Sequence, residues 1–547
     1  MKRILTFFLT AVVAVSFAFC GGNSETVQTT GTENTSSLNK ETAGAADTAA
    51  AFSISSADGT YSQSGSVYTI TSGGTFTLKG ELQGQIVVNA GSSAEVILEL
   101  NGVAITCGSD SPIKILSADS VDISVRSGTT NTINDTRSAR KTDDSTQGAG
   151  AVYAKCDLKI KGSGTLVVNA GYYNGIHTTK DLTIQKLNLT VTARNTALKG
   201  NNSVTVTSGT VTAISTNGDG IKTENTDVSK KGVTRGDITI SGGTVTVYAA
   251  GDGIQAAHDF WMTSGTDGSP ATVTIYTGSY SSYTASDAST SSYKGVKVCN
   301  ELNIKDGDIT IHSYDDGLHA DSGTALDDGT KGQGTVNISG GSVTMNVYSP
   351  ESKTAGGRQG MAWGWGGQQA VIGADGIHAD YILNISGGTI NIDSAYEGLE
   401  ANIINISGGK TYIAANDDGV NACKGNATPQ VNVTGGYLDV TVSPNGDTDG
   451  IDSNGTYKQS GGIVITRGPN SQMAAAIDAD SSVSITGGTL IILGYGNVGR
   501  GSGVSKYTLS LHSAGTQTVK INGTTYTFTN ASAYGKTTVY SDVSVTK

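Results

Sequence analysis

Between Ala374 and Asn426 the chain repeats one short pattern three times: ADGIHADYILNISGGTINIDSAYEGLEANIINISGGKTYIAANDDGVNACKGN. Each pass holds an acidic-Gly-aliphatic triplet: Asp375-Gly376-Ile377, Glu397-Gly398-Leu399 and Asp418-Gly419-Val420. A repeat of about 20–30 residues marks a chain whose single unit cannot bury an apolar face, whereas a stack of units can.

Within the unit, Leu383, Ile385, Ile390 and Ile392 alternate with polar residues on either side of Gly387-Gly388. Period two places these four on one buried face of short strands. The glycine pair offers the positive φ that a corner needs. Ile377 opens a third short strand, with Ile377 and Ala379 inward and His378 outward. Three strands and three corners per unit describe one coil of a parallel β-helix. The leucine spacing and helical arm of a leucine-rich repeat are missing. The expected fold is all-β: a parallel β-helix of about fourteen coils over residues 51–505, with an N-terminal cap and a small C-terminal β cap over 506–547. The inward aliphatics that mark the coils are Ile86, Ile113, Val152, Ile176, Leu198, Ile221, Ile254, Val296, Leu318, Ile377, Leu399, Val420, Ile451 and Ile477. Longer gaps between them carry insertions, among them 136–148, 224–236, 277–294 and 348–373.

Such a stack needs only a thin core, which suits a chain that is 36% hydrophobic with 75 glycines and 6 prolines. The net charge of −12, without basic clusters, argues against nucleic acid as a partner. Met1-Lys2-Arg3 followed by the apolar run Ile4 to Phe19 reads as a signal peptide over residues 1–19. Cys20 stands where a bacterial lipoprotein carries its acyl chains, although Phe19 departs from the usual small residue. Residues 20–50 are Ser/Thr/Asn/Ala-rich and read as a flexible tether. The expectation is a monomer held at the cell surface or periplasmic face through lipid alone. Cys107, Cys156, Cys299 and Cys423 show no metal or redox spacing and read as small buried residues.

Stacking turns sequence-distant residues into neighbours. The residue after each inward aliphatic forms an outward stripe that includes Lys199, Lys222, Lys297, His319, His378, Glu400, Asn421, Asp452 and Asp478. The residues two before it form an acidic row: Asp219, Asp252, Asp316, Asp375, Glu397, Asp418 and Asp449. Carboxylates one coil apart, about 5 Å, repel by roughly 1–4 kcal/mol. Solvent, neighbouring Lys and His, or a bound cation must offset this. Calcium suits the oxygen-rich set Asp375, Asp380, Glu397, Glu400, Asp417, Asp418, Asp449 and Asp452. The plainer alternative is that Asp-Gly is simply a favoured turn pair. For a carbohydrate ligand the candidates are Trp363 and Trp365 on the longest insertion, with Tyr348, Arg358, His319 and His378. Phe260-Trp261-Met262 reads as packing. No Ser/His/Asp signature, phosphate loop or zinc helix motif is present, and no residue is singled out as catalytic.

The Asp-Gly-Ile and Ile-Ser-Gly-Gly-Thr repeats resemble the bacterial carbohydrate-binding-domain-containing β-helix family. So do Gly84 to Val88, Val96 to Val103, Gly128 to Ile133 and Ala533 to Ser541. That resemblance implies a right-handed, pectate-lyase-like β-helix. It also implies surface binding of cellulose-like or acidic, pectin-like polysaccharide with structural calcium. Fold does not fix function: binding without catalysis leads, a calcium-dependent lyase or glycoside hydrolase is the alternative, and a surface adhesin is the third reading.

Overall fold

The computed structural model describes residues 50–140, 149–265, 268–278, 292–348, 373–442, 448–469, 474–496 and 503–547. The expected signal peptide and Cys20, and also Arg358, Trp363 and Trp365, lie outside the described residues. Those described residues are all-β, with strands joined by turns and no helix.

Through the middle of the chain the strands recur in threes. Asn174–Thr178, Asp181–Gln185 and Asn188–Ala193 make one rung. Each lies parallel to its counterpart in the next: Ile176 opposite Leu198, Leu182 opposite Val204, Leu189 opposite Val211. Aliphatics at alternate positions of all three strands point the same way and are buried, while the residues between them point out.

The predicted column of first-strand aliphatics forms without a break in register. From Ile86 through Ile113, Val152, Ile176, Leu198, Ile221, Ile254, Val296, Leu318, Ile377, Leu399 and Val420 to Ile451, each residue partners the next in a parallel ladder. All thirteen are fully buried. Ile477, the fourteenth, is buried outside any strand, where Asp478 N–H donates to the Ile451 carbonyl at 2.9 Å.

The Gly-Gly corner works differently from expectation. Gly388 has φ of 78°, but Gly387 does not have a positive φ. Gly387 is required by proximity instead, because a Cβ there would lie 2.2 Å from the Ser339 carbonyl of the rung before.

Antiparallel structure occupies both ends of the stack. Tyr61–Ser64 and Val67–Ile70 form a hairpin, and the latter strand pairs in parallel with Gln85–Asn89. At the other end Thr537–Ser541 pairs antiparallel with Ser482–Leu493. Gly515–Ile521, Thr524–Asn530 and Val545–Thr546 form a separate antiparallel sheet. This end has its own core, including Ile491, Leu511, Val519, Phe528 and Val539. Arg467 is wholly buried beside that core and bonds Asp439, the Val440 carbonyl at 2.8 Å and Asn530 Oδ1 at 3.1 Å. Cys107, Cys156, Cys299 and Cys423 are all unpaired thiols, the first two buried.

Candidate functional site

Because the first strands are in register, the outward stripe and acidic row exist as drawn from the sequence, but most of their residues are buried or half-buried, with Asp478 exposed at the end. His319, Lys199 and Asp316 are each more than nine-tenths buried. Long side chains on adjacent rungs cover one another, so pointing away from the core does not mean exposure.

The eight predicted metal-ligating residues separate into groups. Asp375, Asp380 and Glu400 surround His378: Nδ1 lies 2.9 Å from Glu400 Oε2 and 3.2 Å from Asp375 Oδ2, and Nε2 lies 3.1 Å from Asp380 Oδ1. One rung earlier His319 repeats the arrangement, with Nδ1 2.7 Å from Asp316 and Nε2 2.7 Å from Asp321. The two imidazoles are stacked, with centroids 4.6 Å apart. At His378 both nitrogens face carboxylates, and donation from both is the imidazolium form. Burial opposes that charge on His378, yet the bonds to Asp375, Asp380 and Glu400 hold it protonated well above the usual imidazole range. Glu400 is correspondingly drawn down to about 2 against the cost of burial. Asp375 is pushed up by burial and by the nearby Glu400 and Asp316 carboxylates.

Lys294 adds a further cation, 2.9 Å from both Asp315 and Asp316. Further back, Lys222 pairs with Asp219 at 2.8 Å and Lys199 with Glu224. From Asp219 to Asp375 the row therefore carries its own positive charge. His319 and His378, predicted as outward sugar contacts, are instead buried or half-buried and occupied by carboxylates at both nitrogens. Tyr348 is half-buried and stacked on Tyr314, centroids 4.4 Å apart.

Beyond His378 the stripe continues as Glu400, Asn421, Asp452 and Asp478, with no Lys, Arg or His. Burial, with Asp375, Glu400 and Asp418 near it, pushes Glu397 up. Burial, with Asp417 and Asp449, does the same to Asp418. Carboxylate oxygens of Asp449, Asp452 and Asp478 lie within 4.8 Å of one another. Asn421, the ladder partner of Asp452, has a buried Oδ1 without a hydrogen-bond partner, while its Nδ2 donates to Glu397 at 3.0 Å. An all-oxygen set with an orphaned amide oxygen fits a hard cation such as calcium. Asp478 stands in the predicted stripe but outside the predicted calcium set; as the next stripe position after Asp452 it belongs with that set.

Three further arrays were not foreseen. Asn303, Asn337, Asn384, Asn405 and Asn432 form an amide ladder on the second strands, each Nδ2 donating to the previous Oδ1 at 2.9–3.0 Å. On the third strands Tyr248, Tyr276 and His312 stack at 5.1 and 4.9 Å. Aligning Thr-Val-Thr-Val-Tyr-Ala, Thr-Val-Thr-Ile-Tyr-Thr and Asp-Ile-Thr-Ile-His-Ser would have revealed this ladder. Asp237 and Asp259 flank His258, whose Nδ1 is 2.8 Å from the former and 3.5 Å from the latter. Trp261, expected as packing, points outward between Thr239 and Asn303 with Lys305 Nζ 4.5 Å from its ring centroid, while Phe260 and Met262 enter the core.

The family profile of carbohydrate-binding domain-containing proteins matches residues 64–337 and 322–419, more than half of the chain. The chain belongs to that family. A carbohydrate-binding domain-containing protein of Acetivibrio thermocellus is 40% identical over 126 residues, covering 23% of this chain and 44% of the relative's own length. Among solved structures, the polysaccharide lyase-like protein from C. thermocellum (gadolinium derivative) is 34% identical with a TM-score of 0.39. That match covers 46% of this chain and 91% of the other.

Proposed function

We propose that the chain is a non-catalytic, surface-displayed polysaccharide-binding protein. In this account Cys20 is acylated after removal of residues 1–19, and residues 20–50 tether a right-handed parallel β-helix that works as a monomer. Calcium, held by Asp449, Asp452 and Asp478 with the Asn421 amide oxygen, adds positive charge beside the acidic row from Glu397 onward, where the adjoining stripe reads Glu400, Asn421, Asp452 and Asp478. Asp417, Asp418 and Glu397 surround that centre in the same row. Trp363, Trp365 and Arg358 remain proposed sugar contacts on their insertion.

The observation that carries the reading is the unbroken register of the rungs, joined to the family match over 64–419. Like polar groups repeat at about 4.8 Å along parts of the second- and third-strand flanks, the asparagines from Asn303 to Asn432 and the threonines from Thr190 to Thr344. Such a flank offers successive units of an extended polymer the same contacts again and again. The test is retention of the chain on cellulose and on pectate, with calcium and with chelator, while ultraviolet absorbance reports unsaturated product. Retention without product supports binding. A calcium-dependent rise in product would make the protein a lyase, and no retention on either polymer would contradict the reading.

A further inference from the structure

The three outward flanks of the stack differ in charge. The first-strand flank carries the acidic row and its cations, and the second-strand flank carries Asp122, Lys159, Asp237 and Trp261 among its outward residues. The third-strand flank is different. Thr190, Thr212, Thr246, Thr274, Thr310 and Thr344 partner one another in sequence over six consecutive rungs. Among the outward positions of these six strands, Asp308 is the one Asp, Glu, Lys or Arg. In a chain of net charge −12 that is an unusually neutral strip.

From this we infer that the threonine strip is the docking surface for an uncharged, extended β-linked glycan, lying along the stack with its sugars in step with the rungs. The inference rests on the polysaccharide-binding reading above and assigns it a face and a ligand class. Charge complementarity selects the occupant: a neutral polymer meets one charged side chain, Asp308, at the start of a single rung, whereas an acidic one would meet that carboxylate and find no Lys or Arg to pair with. Each threonine offers a methyl to the C–H face of a sugar and a hydroxyl that both donates and accepts. β-Branching limits its χ1, so the array is ordered before the ligand arrives. The rungs repeat at about 4.8 Å, close to the rise per sugar of a two-fold β-linked chain.

Along one margin run Tyr248 and Tyr276, 44% and 38% exposed, with His312 beyond them. Their rings are nearly parallel, 6° apart, and lie over one another, so each covers its neighbour's face. This ladder is therefore no platform for sugar stacking. It presents ring edges and phenolic hydroxyls, a rail of hydrogen-bonding groups beside the threonines.

The test is affinity electrophoresis of the full chain through gels containing hydroxyethyl cellulose or polygalacturonate. It compares wild type with T246V/T274V, which keeps shape and strand preference but removes two hydroxyls, and with Y248F/Y276F. The T246V/T274V chain should bind the neutral glucan about tenfold more weakly, the equivalent of one to two hydrogen bonds. Binding to polygalacturonate should be unchanged. Wild-type retardation by the glucan with both variants folded and equally retarded would overturn the assignment of this face and leave polysaccharide binding standing. Retardation by polygalacturonate alone would overturn the ligand class. No retardation by either polymer would remove the underlying reading as well. Self-association of the wild type in sedimentation, lost in both variants, would give the strip to a second copy of the chain and overturn the proposal.

Discussion

The acidic row runs beside two different neighbours. From Asp219 to Asp375 its carboxylates face Lys222, Lys294, His319 and His378, which the chain supplies itself. From Glu397 to Asp478 the stripe beside the row has lost its cations and substitutes Glu400, Asn421, Asp452 and Asp478. The spacing between rungs is the same throughout, so the repulsion to be offset is the same. What differs is the neighbouring stripe, which holds Lys and His in the first stretch and acids with one amide in the second, where we propose that calcium binds. A solenoid-like stack makes this exchange easy, because one substitution per rung changes the chemistry of a flank without touching the core.

The comparison breaks most visibly at His378. H378N leaves Asp375, Asp380 and Glu400 facing each other without their shared cation, and thermal or urea unfolding should show a loss of about 3 kcal/mol. A loss below 1 kcal/mol would mean that solvent already screens the cage. Calcium should act on the other stretch: at a hundredfold excess over its dissociation constant it adds about 2.7 kcal/mol to wild type. Melting temperature in calcium against chelator reads this, and D449N/D452N should abolish the difference.

The shifted groups along the row respond to pH with both signs. Glu400 and Asp321, both held at about 2, stabilise the fold above their unfolded values near 4. That contribution is lost as pH falls through about 2. His378, raised well above its ordinary value, contributes fully below about 6.5 and loses its contribution as pH rises through its folded value. Glu397 and Asp418 are raised, so the folded chain holds more protons than the unfolded one above about pH 4, and stability falls as pH rises. In chelator, wild type should therefore lose ground to E397Q/D418N as the pH is taken from 4 to 8. A gap that does not widen would contradict those shifts.

Transplanting the internal solution sharpens the contrast. N421K places an ammonium in the stripe beside Asp452 and in the rung after Glu400. It should stabilise the chelated chain by about 1 kcal/mol and blunt its response to calcium. The smallest effect belongs to K222M, where a partly exposed pair with Asp219 is broken, and unfolding should register about 0.2–1 kcal/mol.

How much of this was legible followed from the length scale of each feature. Alternation and a near-constant repeat placed Ile86 through Ile451 in one buried column before any coordinates, since register in a parallel ladder is set by the same residues that fill the core. The acidic row followed from that column. The grouping of Asp375, Asp380 and Glu400 followed as well, but as metal ligands, because the outward position of His378 suggested solvent rather than the centre of the cage. Lys294 was hidden by the insertion that precedes it, whose length gives no hint that it returns onto Asp315 and Asp316. Gly387 looked like a conformational glycine and is a steric one, a distinction visible only when the Ser339 carbonyl lies against it. The Tyr248–Tyr276–His312 ladder was readable in principle, but only from third strands aligned as a set.

Calcium titration calorimetry at neutral pH, on wild type and on D449N/D452N, tests most directly whether the acidic rungs from Glu397 to Asp478 bind a cation. Heat of binding in the wild type that disappears in the double variant, with K222M behaving as wild type, is the predicted result. No heat in the wild type, or undiminished heat in D449N/D452N, would contradict the account.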